Sequence, residues 1–138
     1  MKRIIVWVGI LLFAASCSTQ KKLTDKKVKP PEIEQKDSVQ YDLETFDGRF
    51  ETWYTLQNSP SQYHSQSYYE MWNKQYVSAW DAKAMNPSKN PFFEPIVGYD
   101  PATNYGFELN HKLFYYFQYV EHVLKIPILP NGPHVVLF

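Results

Sequence analysis

Four histidines, His64, His111, His122 and His134, are the side chains of this 138-residue sequence best suited to metal binding or proton transfer. Glu108-x-x-His111 has the spacing of half a carboxylate-bridged metal site, one helical turn apart. Such sites take a second copy of the motif, and the sequence holds none. His111 and His122 would share a helix face, but eleven residues separate them, about 16 Å along a helix and too far for one ion. No metal or cofactor is therefore expected. Nucleophilic catalysis has no better basis: no Gly-x-Ser-x-Gly elbow, phosphate loop or dinucleotide fingerprint occurs. Carboxylate pairs formed in space are invisible to spacing, so an enzyme stays open as one reading.

Cys17 is the only cysteine. It follows Met1-Lys2-Arg3, a ten-residue apolar run from Ile4 to Phe13, and the small residues Ala14-Ala15-Ser16. A charged start, an apolar centre and a small-residue cut mark a secretory signal peptide. Ten residues span only about 15 Å as a helix, against roughly 30 Å of hydrocarbon, so the run does not read as a membrane span. A cysteine directly after the cut is the pattern of a bacterial lipoprotein signal, in which that thiol carries the lipid. Ala14 stands where the commonest form of that signal has Leu. Ser18 follows the cysteine, which in the best-known sorting rule permits transfer to the outer membrane. The expectation is a signal over residues 1–16, then a lipidated Cys17 holding the protein in the cell envelope, facing the periplasm.

Residues 18–37 carry six Lys, four acids and Pro30-Pro31, with few aliphatic side chains. Such a stretch cannot bury enough surface to offset its ordering entropy, and reads as a disordered tether over 17–37. Residues 38–138 then form one domain with a net charge of −4, which argues against a nucleic-acid partner. This domain holds 22 aromatic residues, so its core must be built from rings.

Elements to hold these residues can be read from periodicity. Val39, Tyr41 and Leu43 alternate with polar residues over Ser38–Phe46, a half-buried strand. Residues 49–56 after Asp47-Gly48 fit either a second hairpin strand or a short helix capped by Asp47. Asn58-Ser59-Pro60 closes the helix well, so that alternative is preferred but not decided. A long helix is expected over Ser67–Ala84, with Ser67 and Glu70 as a capping box. A second is expected over Thr103–Lys125, stopped by Pro127. Pro95–Tyr99 suits an edge strand. Glu70/Lys74, Glu108/Lys112 and Glu121/Lys125 are spaced as i,i+4 ion pairs. The result is an α+β domain: two long helices and a short one packed on a two- or three-stranded sheet, around an aromatic-rich core.

Two groups of rings are candidate sites. Trp53, Trp72 and Trp80 would line an aromatic cleft if they shared one concavity; packing of the same rings into the core is the alternative. Phe107 and Phe114 fall on the polar side of the last helix. They mark either an exposed contact patch or a helix covered on both sides.

Tyr41-Asp42-Leu43, Asp47-x-x-Phe50-x-x-Trp53, Tyr63-x-Ser65-Gln66-Ser67-Tyr68, Trp80 and Asn104-Tyr105-Gly106-Phe107-Glu108-Leu109-Asn110 together resemble a lipoprotein family of gram-negative envelopes known only as a domain of unknown function. The resemblance spans roughly residues 39–120. It implies the order strand, short helix, long helix, long helix, and brings no activity or catalytic residue. Three functions are then expected in this order: a non-enzymatic module that docks on an envelope protein, a binding domain for a small ligand or glycan, and an enzyme.

Overall fold

A computed structural model of the protein describes residues 31–37, 40–45 and 47–134. Strands β1 (Glu32–Asp37) and β2 (Gln40–Glu44) pair antiparallel, with Ile33 opposite Leu43 and a bulge between Gln35 and Asp37. Three helices follow: α1 (Gly48–Gln57), α2 (Gln66–Ala84) and α3 (Gly106–His122). The fold is α+β around a buried aromatic cluster, as the sequence implies.

Residues 49–56 are helical. Asp47 caps α1, its carboxylate accepting the Arg49 N–H at 3.0 Å. The first strand is where sequence reasoning departs from the structure. β1 lies inside the stretch read as tether, and Ile33 is buried in the core. One aliphatic side chain suffices because the rest of the strand is held by backbone pairing with β2. Pro95–Tyr99 contributes a single parallel bridge, Glu32 to Val97, in which the Ile33 N–H reaches the Val97 carbonyl at 3.2 Å. Gly98 permits this approach: its φ is +83°, and a Cβ there would stand 2.4 Å from the Ile33 carbonyl oxygen.

The helix termini also differ from expectation, for local reasons. Ser65, not Ser67, caps α2, its hydroxyl accepting from the Tyr68 N–H at 3.3 Å. Glu70 accepts instead from the Gln66 amide at 2.7 Å. α3 starts late because Asp100 holds residues 100–103 in a turn, bonding the Ala102 N–H and the Thr103 hydroxyl. It ends early because Lys125 takes φ +59°, and the Ile126 N–H turns back to the Val120 carbonyl at 3.1 Å.

α3 is the centre of the molecule. From Leu109 to Val120 only Lys112 is not buried. α2 packs along one side, while α1 and β2 cover another. Lys112 is not paired in register on its own helix. It bridges to Glu51 of α1 at 3.0 Å and to the Leu43 carbonyl of β2 at 3.3 Å, tying three elements together.

The tyrosine hydroxyls are used as staples. Tyr69 accepts the His64 N–H at 2.9 Å, and Tyr119 donates to Asp47 at 3.1 Å. Tyr105 accepts the Asp100 N–H and donates to the Gly98 carbonyl. Each ring buries its apolar body in the core while its oxygen satisfies a loop or cap.

Candidate functional site

His111 is a histidine whose ionisation is strongly perturbed by burial. It is 1 % exposed and surrounded by Tyr54, Tyr63, Tyr69, Phe107 and Tyr115, with ring centroids 4.5–5.6 Å away. Its Nδ1 lies 2.7 Å from the Tyr54 hydroxyl, and its Nε2 has no partner. Burial pushes its pKa down to about 4, so the ring is neutral at physiological pH. Burial likewise raises the Tyr54 hydroxyl, with the nearby Tyr63 and Glu108 adding to the effect. A base sealed under five rings has no path to a substrate. Glu108, three residues earlier, is exposed, so Glu108-x-x-His111 does not converge on one point.

The expected patch of Phe107 and Phe114 is not a surface. Phe114 is completely buried, 5.8 Å beneath Tyr68 and 5.2 Å from Tyr69. Phe107 is half-buried against Tyr63 and His111. Their side of α3 looked polar because Asn110, Gln118 and Glu121 share it, yet those groups bond inward. Asn110 accepts from Asn73 at 3.1 Å, and Gln118 donates to the Tyr76 hydroxyl at 3.0 Å. The covered helix is the correct alternative.

Nor do the three tryptophans line one cleft. Trp80 is fully buried between Phe93 and Phe117, its indole N–H donating to the Glu94 carbonyl at 2.6 Å. Trp53 packs on Tyr115 and Tyr119, and Trp72 lies beside Tyr68. Only Trp53 and Trp72 keep part of their rings in solvent, on different helices. Cys17 lies outside the described residues.

One run of surface-reaching rings starts just before α2 and continues along it. His64 stacks on Tyr68 at 4.0 Å, Tyr68 contacts Trp72 at 6.5 Å, and Met71 next to them is 49 % exposed. The exposed positions of α2 are Ser67, Met71, Lys74, Gln75, Ser78 and Ala82. Only one of these is charged, since both acids of α2, Glu70 and Asp81, are partly buried. Glu70 instead meets Gln66, and Asp81 accepts the Ile96 N–H at 3.2 Å.

A second feature has no sequence signature, because helix and loop residues far apart in the chain build it together. A cavity of about 240 Å³ opens between the N-terminal half of α2 and the loop leading into α3. Gln66, Glu70, Lys74, Tyr99, Asn104 and Asn110 contribute polar groups to its lining. Gln66 is held by Glu70 and by Asn104 at 2.9 Å, and Asn104 in turn caps the Gly106 N–H at 3.0 Å. Burial, with Tyr105, Glu70 and Asp100 nearby, pushes the Tyr99 hydroxyl up to about 12, so it stays a hydrogen-bond donor. Among the described residues no group of three or more His, Cys, Asp or Glu could hold a metal ion, and no helix is long and apolar enough to cross a membrane.

No curated protein and no solved structure matches the chain. One family does, described as a family of unknown function (DUF6146), over residues 5–131. That range takes in all but the first residue of the apolar run, together with Cys17 and every helix described above. The chain belongs to this family of unknown function, DUF6146.

Proposed function

We propose that the protein is a lipid-anchored envelope protein whose folded domain is a non-enzymatic interaction module, docking another envelope protein on the outer face of α2. The observation that carries this reading is the surface of Tyr68, Met71 and Trp72, where half-exposed rings and a thioether sit on a helix face with one charge. Protein interfaces are enriched in Tyr, Trp and Met and depleted of charge at their centres. The seal over His111 supports a non-enzymatic role, since the best-placed proton acceptor is closed off from solvent.

Anchoring rests on the layout of residues 1–17, which lies almost wholly within the range of the family match. Thirteen residues separate Cys17 from Pro31, a reach of about 45 Å when extended. One acyl chain holds a protein only weakly, and the several chains of a lipoprotein would make attachment lasting. Residue Ser18 favours the outer membrane, with the domain facing the periplasm.

The test is in-cell crosslinking and affinity purification of the native chain beside Cys17→Ala. A stoichiometric envelope partner recovered with the native chain and lost with Cys17→Ala supports the reading. Recovery of no partner from either chain sinks it.

The polar cavity favours a second reading. At about 240 Å³ it is smaller than the usual drug-sized pocket, and it offers amides, a carboxylate, an ammonium and a phenol. It suits a ligand of monosaccharide or amino-acid size in the periplasm. This replaces the aromatic cleft as the form a binding function would take.

A further inference from the structure

Two imidazoles that sequence spacing keeps apart meet at the far end of α3. His134 Nδ1 stands 3.3 Å from His122 Nε2, with the rings crossed edge to face and centroids 4.9 Å apart. The segment between them is firmly held. Glu121 accepts the N–H groups of Ile128 and Leu129 at 2.9 and 2.8 Å, and Ile128 is buried. The Gly132 N–H closes on the Leu129 carbonyl at 3.2 Å. Gly132 is also pressed against Tyr76, where a Cβ would stand 2.5 Å from the hydroxyl. The meeting of the two rings is thus set by the packed return of the chain onto α3, not by a chance approach of two loose side chains.

We infer that His122 and His134 form a surface site for one borderline divalent cation of the Zn²⁺ class. Two nitrogens bound at about 2.0–2.1 Å to one tetrahedral ion stand about 3.3 Å apart, which is the separation found here. Imidazole suits Zn²⁺, Cu²⁺ or Ni²⁺ and not Mg²⁺ or Ca²⁺, which take oxygen ligands. Among the described residues no third His, Cys, Asp or Glu completes the set, so water fills the other positions and the ion exchanges freely. The nearest charged residues along the chain, Glu121 and Lys125, are one acid and one base. Without metal the same geometry is a hydrogen bond between the two rings, which the ion replaces.

Zn²⁺ titrated into the full chain in detergent, followed by calorimetry and by thermal melting, tests the site. Saturation at one ion per chain is expected, with a melting temperature that rises with Zn²⁺ because the ion binds the folded state. His122→Ala and His134→Ala should each weaken binding roughly tenfold or more, since each removes one of two ligands. Both rings reach the surface, so each variant should still melt cooperatively without metal. His64→Ala, which removes an imidazole elsewhere, should bind as the native chain does. The inference is overturned if no saturable binding occurs. It is equally overturned if binding survives in both His122→Ala and His134→Ala.

Discussion

The Tyr76 hydroxyl donates to Glu121 Oε2 at 2.8 Å, while the other oxygen of the same carboxylate holds two backbone N–H groups of the chain returning past α3. Gln118 completes the network by donating to Tyr76. One partly buried carboxylate therefore joins α2, α3 and the 123–134 arm. Hydrogen bonds to a charged group are worth about 1.5–3 kcal/mol each, and leaving their partners unsatisfied costs similar amounts. Glu121→Ala should lower stability by about 3 kcal/mol and Tyr76→Phe by about 1.5 kcal/mol, on the same scale. Urea unfolding of both variants and of the double variant checks this. Additive losses would show that the two side chains do not act as one network.

Stability should fall on mild acidification because of His111. Its folded pKa, about 4, lies below the unfolded value of 6.5. Between these values the unfolded chain binds a proton that the folded chain refuses. The contribution is complete above about pH 6.5 and is lost as the pH drops toward 4. A shift of this size corresponds to at most about 3 kcal/mol. His122 is shifted in the same direction by burial, so the native slope contains both groups. His111→Phe keeps the ring packing and removes one of them. Unfolding free energies from pH 7 to 4 should therefore fall less in His111→Phe than in the native chain. Equal slopes would mean that His111 is solvated.

The helices were legible because their signals are local. Asp47 before α1, the ring spacing along α2 and the long apolar pattern of α3 each act within a few turns. Phe114 stays ambiguous in the sequence, between a patch and a covered helix, for the opposite reason. Asn110 and Gln118 flank it and look solvated, but their partners, Asn73 and Tyr76, come from another helix. β1 was hidden because its stability comes from pairing and from a glycine 65 residues downstream, Gly98. The same holds for the polar cavity, whose walls come from α2 and from residues 99–105, and for His122 with His134, which meet only after the chain turns back. Contacts across the chain leave no period in the sequence.

Gly98→Ala tests the place of β1 in the fold. The substitution forces an L residue into a left-handed conformation and drives its Cβ into the Ile33 carbonyl. A loss of about 2 kcal/mol is expected, the usual cost of such strain. A chain beginning at Ser38 should lose a comparable amount, about 2 kcal/mol, from the burial of Ile33 alone. A chain beginning at Pro31 should match the full protein in thermal melting. If the chain from Ser38 is just as stable, β1 contributes nothing and the domain does begin at 38.

Met71→Asp separates the two functional readings. Met71 is half exposed, so the change should alter stability by no more than about 0.5 kcal/mol. A charge placed at the centre of a docking face must be desolvated on binding, and crosslinked partner should fall roughly tenfold or more. Glu70→Gln with Lys74→Ala removes both charged groups from the cavity lining and leaves Tyr68, Met71 and Trp72 in place. That pair should keep the partner and lose any small polar ligand. The reverse pattern, with partner retained in Met71→Asp and function lost in the cavity variant, would move the function from the face of α2 to the cavity. The discrimination works because the two features share a helix but not a side: Met71 points to solvent, whereas Glu70 turns toward Gln66 and the loop before α3.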